Sequence, residues 1–123
     1  MTNREGSPGW ILSALLLPLL MAGCHSYQVE TSVENRTGEG IKLLEVDYPS
    51  ASFGDNNLAA GEVFPYRIQL RGDGPLTVQY TTVGGHQIHI EGPTLAERQE
   101  GSLRIVLLPG GKAEFHPKLT PQP

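Results

Sequence analysis

Side chains able to do chemistry are few in this chain of 123 residues, which has one cysteine and four histidines. His86 and His89 stand three apart. On a helix that spacing gathers two imidazoles on one face. On a strand, residues three apart point to opposite faces and cannot chelate together. His25 and His116 lie near the two ends of the body. No metal site is expected. One cysteine also excludes an internal disulfide and any multi-cysteine zinc site. The carboxylates after the amino-terminal segment are spread from Glu30 to Glu114, whereas a glycosidase holds two of them about 5–9 Å apart in a cleft. Outward strand positions account for them better. No Gly-x-Ser-x-Gly element occurs, and the glycine-rich pieces lack the strand-to-helix setting of a phosphate loop. The expectation is a protein without enzymatic activity and without a cofactor.

The one thiol has an informative setting. Residues Met1 to Trp10 are mostly polar, and Ile11 to Met21 is an almost wholly apolar run interrupted by Pro18. A membrane-spanning helix needs about 20 apolar residues, so this run fits the hydrophobic region of a signal peptide instead. Small residues follow, then Cys24.

The stretch Leu20-Met21-Ala22-Gly23-Cys24 resembles the lipobox of bacterial lipoproteins. The resemblance implies a signal peptide over residues 1–23, recognised by its peptidase through Leu20, Met21, Ala22 and Gly23. It implies a diacylglyceryl group on the Cys24 thiol and acylation of the new amino terminus. Met21 stands where the family usually has Leu. His25 stands where Asp would favour retention in the inner membrane, so the outer membrane, facing the periplasm, is the implied address. Each buried methylene contributes about 0.8 kcal/mol, and two acyl signals already give stable attachment. The expected partners are therefore the membrane, through the anchor, and an envelope protein. Nucleic acid is not expected, because the net charge is −4 and no basic patch offers a footprint.

The elements that must position any site read as strands. Fifteen glycines and ten prolines argue against a helix bundle, since both weaken helix interiors. Tyr27, Val29, Thr31 and Val33 alternate with polar residues, the period of a half-buried strand. Leu44, Val46 and Tyr48 share a face, and Ile41 and Leu43 break the phase, which predicts a bulge near Leu43. Ala51 to Gly54 reads as a short strand and Asp55-Asn56-Asn57 as a turn. Phe64, Tyr66, Ile68 and Leu70 alternate around Pro65, whose nitrogen side is expected to face an edge or a bulge. Leu76, Val78 and Tyr80 follow, then a Gly84-Gly85 hairpin, then Ile88 and Ile90. Gly92 to Gly101 reads as a polar loop with room for one helical turn at Leu95 to Gln99. Leu103, Ile105 and Leu107, with Val106 apolar on the other face, predict a central strand. A short strand with Ala113 and Phe115 closes the body.

Short strands at roughly ten-residue spacing are the signature of a sandwich or small barrel. The expected fold is all-β: an antiparallel immunoglobulin-like β-sandwich of about seven strands. Val33 to Gly61 resembles small bacterial lipoproteins with one such domain. The expected organisation is a signal peptide (1–23), a lipidated linker (24–26), the sandwich (27–116) and a Pro-rich flexible tail (117–123).

Two motifs receive plain readings. Arg71-Gly72-Asp73 spells the integrin tripeptide in a predicted turn, where those residue types are common. Asn35-Arg36-Thr37 spells a glycosylation acceptor, coincidental in a bacterial lipoprotein. The expected role is a non-enzymatic structural or protein-interaction module of the envelope. The alternative is a small-ligand or carbohydrate-binding module, or a minor hydrolase. The Gly92 to Gly101 loop and the Asp55 to Leu58 turn are the candidate contact regions, and an edge strand able to accept a partner strand is another.

Overall fold

The structure is a computed structural model, and it describes residues 27–121. The lipobox from Leu20 to Cys24 and His25 lie outside the described residues. The rest is eight strands: β1 (Val29–Asn35), β2 (Ile41–Tyr48), β3 (Ala51–Leu58), β4 (Val63–Ile68), β5 (Gly74–Thr81), β6 (Gln87–Leu95), β7 (Gly101–Leu108) and β8 (Lys112–Leu119). They form two four-stranded sheets, ordered β4-β1-β7-β8 and β3-β2-β5-β6. The expected two-sheet sandwich is there, with eight strands.

Alternation builds the core. Val29, Thr31 and Val33 of β1 are buried, as are Leu76, Val78 and Tyr80 of β5 and Leu103, Ile105 and Leu107 of β7. Each such aliphatic side chain, fully buried, contributes about 1.5–3 kcal/mol. Val106 is buried on the opposite face, which fits β7's place between β1 and β8. β1 and β7 run parallel, from Val29 opposite Gly101 to Asn35 opposite Leu107. Every other pairing is antiparallel.

The predicted bulge is present. Leu43 has a φ of 52°, and the β2–β5 register shifts between Lys42 and Glu45. Leu43 turns out to solvent, and Ile41, Leu44 and Val46 all remain in the core. Across from it, any side chain at Gly54 would collide with the Leu44 carbonyl oxygen.

Three boundaries differ from expectation. β3 continues through Asp55, Asn56 and Asn57 to Leu58, so those residues are strand and not turn. β6 runs to Leu95. The loop after it is therefore short, and no helical turn forms at Leu95 to Gln99; Gln99 instead closes a turn, its N–H donating to the Ala96 carbonyl at 3.3 Å. Gly92 lies within β6, where a Cβ would press on Phe115 and Leu76. β8 runs to Leu119, so Pro117 and Lys118 belong to the sheet rather than to a tail.

Candidate functional site

The start of β1, the ends of β4 and β8, the Pro49–Ser50 turn and the turn after Leu95 share one end of the sandwich. Gly101 N–H donates to the Gln28 carbonyl at 3.2 Å, and Thr120 N–H donates to the Glu100 carbonyl at 2.9 Å. Tyr27 and Pro121, the first and last described residues, are thus at the same end. An open cleft of about 380 Å³ lies there, lined by Gln28, Tyr48, Ser50, Ala51, Arg67, Ile68, Gln69 and Arg71. Ser50 ties its floor: its hydroxyl donates to the Gln69 carbonyl at 2.8 Å and accepts from Arg71 N–H at 3.3 Å. Arg71 also donates to the Gln69 side chain at 2.7 Å. Arg67 pairs with Glu30 at 2.7 Å on the surface.

Beside the cleft, aromatic rings fill the seam between the edge strands β3 and β4. Phe53 and Tyr66 stack with centroids 4.5 Å apart. Phe64 lies 6.1 Å from Phe53, and Tyr48 lies 6.3 Å from it. Burial pushes the Tyr48 phenol up from its ordinary value and Tyr66 adds to this, while the Arg71 charge opposes it. The cleft joins two guanidinium groups, three neutral polar side chains and one aromatic wall, and no carboxylate lines it. That set can hold an anionic or polar ring by stacking and charge-assisted hydrogen bonds. It does not supply the paired acid and base of a hydrolase.

The opposite end is organised by Asn35, which is fully buried. Its side-chain N–H groups donate to the carbonyls of Glu39 (2.8 Å), Leu58 (3.0 Å) and Ala59 (3.2 Å). Its side-chain oxygen accepts from the Thr37 N–H at 3.0 Å and hydroxyl at 2.7 Å. This one amide joins the end of β1 to the end of β3, and it leaves no amide for glycosylation at Asn35-Arg36-Thr37. Nearby, Glu34 pairs with Arg36 and Arg104. The Arg36 guanidinium holds the Glu34 carboxyl below the usual range, partial burial opposes this, and Arg104 adds to the lowering.

A third feature is the outer face of β2. Glu45 and Asp47 stand two apart there, and both accept from the Gln79 side chain, at 3.1 and 3.5 Å. No Lys or Arg pairs with either among the described residues. Hydrogen bonding to Asp47 and repulsion from it raise the Glu45 carboxyl above its ordinary value; burial adds slightly, and the Gln79 amide works against it.

Other sequence candidates disperse. His86 sits in the β5–β6 turn and His89 is exposed on β6. His116 is exposed on β8, 3.5 Å from Glu114. Among the described residues no cluster of three His, Cys, Asp or Glu could hold a metal ion, and no helix is long and apolar enough to cross a membrane. Arg71-Gly72-Asp73 is a turn whose Asp73 ties down the β6–β7 loop, accepting from Glu97 N–H at 2.7 Å. The cleft residues Gln28, Ser50, Arg67 and Gln69 carried no signal in the sequence, because strands far apart in the chain bring them together.

No family model matches the chain, and no curated protein matches it. Among solved structures, an NMR structure of a protein from Eubacterium rectale is similar, with a TM-score of 0.57 and 14% identity. The match covers 79% of this chain and 91% of that one. At that identity the likeness concerns the fold alone.

Proposed function

We propose that this protein is a lipid-anchored envelope protein whose sandwich serves as a non-enzymatic protein-interaction module. The observation that carries the reading is the lone cysteine of the chain, placed directly after Leu20-Met21-Ala22-Gly23 and an interrupted apolar run. Cys24 precedes Tyr27 by three residues, a reach of about 10 Å for an extended chain. An anchor there holds the cleft end of the sandwich close to the bilayer and turns the Asn35 end away from it. The outer membrane, facing the periplasm, is the address that His25 supports.

Mass spectrometry of the membrane fraction tests this. A mature chain starting at Cys24 and carrying acyl groups is expected, and the Cys24→Ala variant is expected to stay unprocessed or to leave the membrane. A variant that matures to the same mass and still partitions with membranes overturns the reading.

The cleft favours a second reading, a binding module for a small anionic saccharide. Its test is a titration with glucuronate followed by amide NMR. Saturable shifts at Gln69 and Arg71 that disappear in Arg71→Ala support it, and a flat titration removes it.

A further inference from the structure

We infer that the free edge of β3 accepts an extended segment of another polypeptide as a fifth strand of its sheet. That segment would carry basic side chains on its outer face and apolar ones on its inner face. The inference deepens the interaction-module reading by naming the surface and the chemistry of the partner.

The four sheet edges are not alike. An exposed edge is a ready template for pairing, and folds blunt it with proline, charge or bulges. β4 carries Pro65, β6 carries Pro93 at its irregular register with β5, and β8 carries Pro117 with Lys112, Glu114 and Lys118. β3 is the least protected of the four. It is eight residues long, has no proline, lysine or arginine, and its one charge is Asp55. It pairs with β2 from Tyr48–Ala51 to Ile41–Leu58 without a shift of register, interrupted only opposite the Leu43 bulge, and Ser52, Gly54 and Asn56 are small or short side chains exposed along it. Such an edge can extend its sheet by main-chain pairing.

The surroundings specify what would bind. A strand added about 4.8 Å beyond β3 turns its inner side chains toward the rim of β4. Tyr66 is 43% exposed there and stacks on Phe53, so apolar side chains fit. On the outer face, Ser52 pairs with Asp47 and Gly54 with Glu45. These short residues leave both carboxylates, neither of them paired with a cation among the described residues, open to a long side chain reaching over β3, and the mutual repulsion that raises the Glu45 carboxyl is what a lysine or arginine would relieve. A second copy is the poorer occupant. Antiparallel pairing of β3 with itself would add two more carboxylates to the same outer face. It would also point the two Tyr27 ends in opposite directions, which two anchors in one membrane do not allow.

The probe is a capped synthetic peptide of about eight residues alternating lysine and valine, titrated into the isotope-labelled full chain in detergent. Amide shifts and slowed exchange are expected along Ala51–Leu58, with side-chain shifts at Tyr66. Methylating alternate peptide nitrogens removes one edge of donors and is expected to weaken binding about tenfold. Replacing the lysines by glutamates is expected to abolish it. In the Glu45→Gln, Asp47→Asn double variant the lysine peptide is expected to bind about fivefold more weakly, with a shallower salt dependence. Shifts at β4, β6 or β8 instead, equal binding of the methylated peptide, or no shift at millimolar peptide each overturn the inference. Concentration-dependent self-association that protects β3 without peptide overturns it in favour of a second copy. The mass of the same preparation reports lipidation independently, so an anchored chain that ignores the peptide loses this inference alone, and an unlipidated chain that binds it loses the anchor alone.

Discussion

The two ends of the sandwich close the same strands in different ways. At the end away from Tyr27, one buried amide, Asn35, holds three carbonyls and two donors from two turns. At the Tyr27 end the ties are several, exposed and individually small: Ser50 to Gln69, Gln99 to Thr120, Glu97 to Asp73. A buried polar group that loses its partner costs its full desolvation, whereas an exposed one exchanges its partner for water. The first end is therefore sensitive to a single substitution, and the second tolerates many. A surface free to vary without unfolding the body is suited to the cleft found there.

Substitutions test this contrast, the largest effect first. Asn35→Ala is expected to cost about 2–4 kcal/mol in chemical denaturation, because buried carbonyls lose their donor and no water replaces it. A loss under about 1 kcal/mol would remove the distinction between the ends. Ser50→Ala, at the cleft end, is expected to cost about 0.5–1 kcal/mol in the same measurement. A larger loss would mean that the cleft is a rigid site.

Acid titration sharpens the comparison further. Glu34 has its folded-state pKa lowered by Arg36 and Arg104. Its contribution is complete above the pKa of an unfolded glutamate and disappears as pH falls through the lower folded value. Glu45 runs the other way. Its raised value makes ionisation unfavourable to the fold, so its cost is present above the folded pKa and is relieved on acidification toward the unfolded one. Thermal melts from pH 7 to pH 3 are expected to lose less stability in Glu34→Gln than in the parent, and more in Glu45→Gln. The reverse order would contradict both electrostatic assignments. The smallest effect belongs to Arg67→Ala, whose partner Glu30 is exposed with it; a change within about 0.5 kcal/mol is expected.

Much of the fold was legible because alternation reports which face is buried. The bulge at Leu43, Pro65 on an edge and the central place of β7 all follow from local pattern. Alternation does not report which strand lies alongside, so the parallel β1–β7 pairing had no local signal. β3 was cut short because Asp and Asn are uncommon in strands; at an exposed edge their side chains meet water and cost little. Gly92 and Pro93 hid the end of β6, although Gly92 is there because Phe115 and Leu76 crowd its Cα. Asn35 read as a turn residue like its neighbours, since its burial depends on Leu58 and Ala59, more than twenty residues later. The cleft was illegible for the same reason.

The position of β1 bears on how the molecule carries force. Its strand is flanked on both sides, antiparallel by β4 and parallel by β7. A pull on the chain before Tyr27, directed along the strand and resisted at the far turns, would load both ladders in shear. Their hydrogen bonds would have to fail together rather than unzip one at a time. Such a body resists extraction by its amino end far better than peeling from β8, which has a neighbour on one side only.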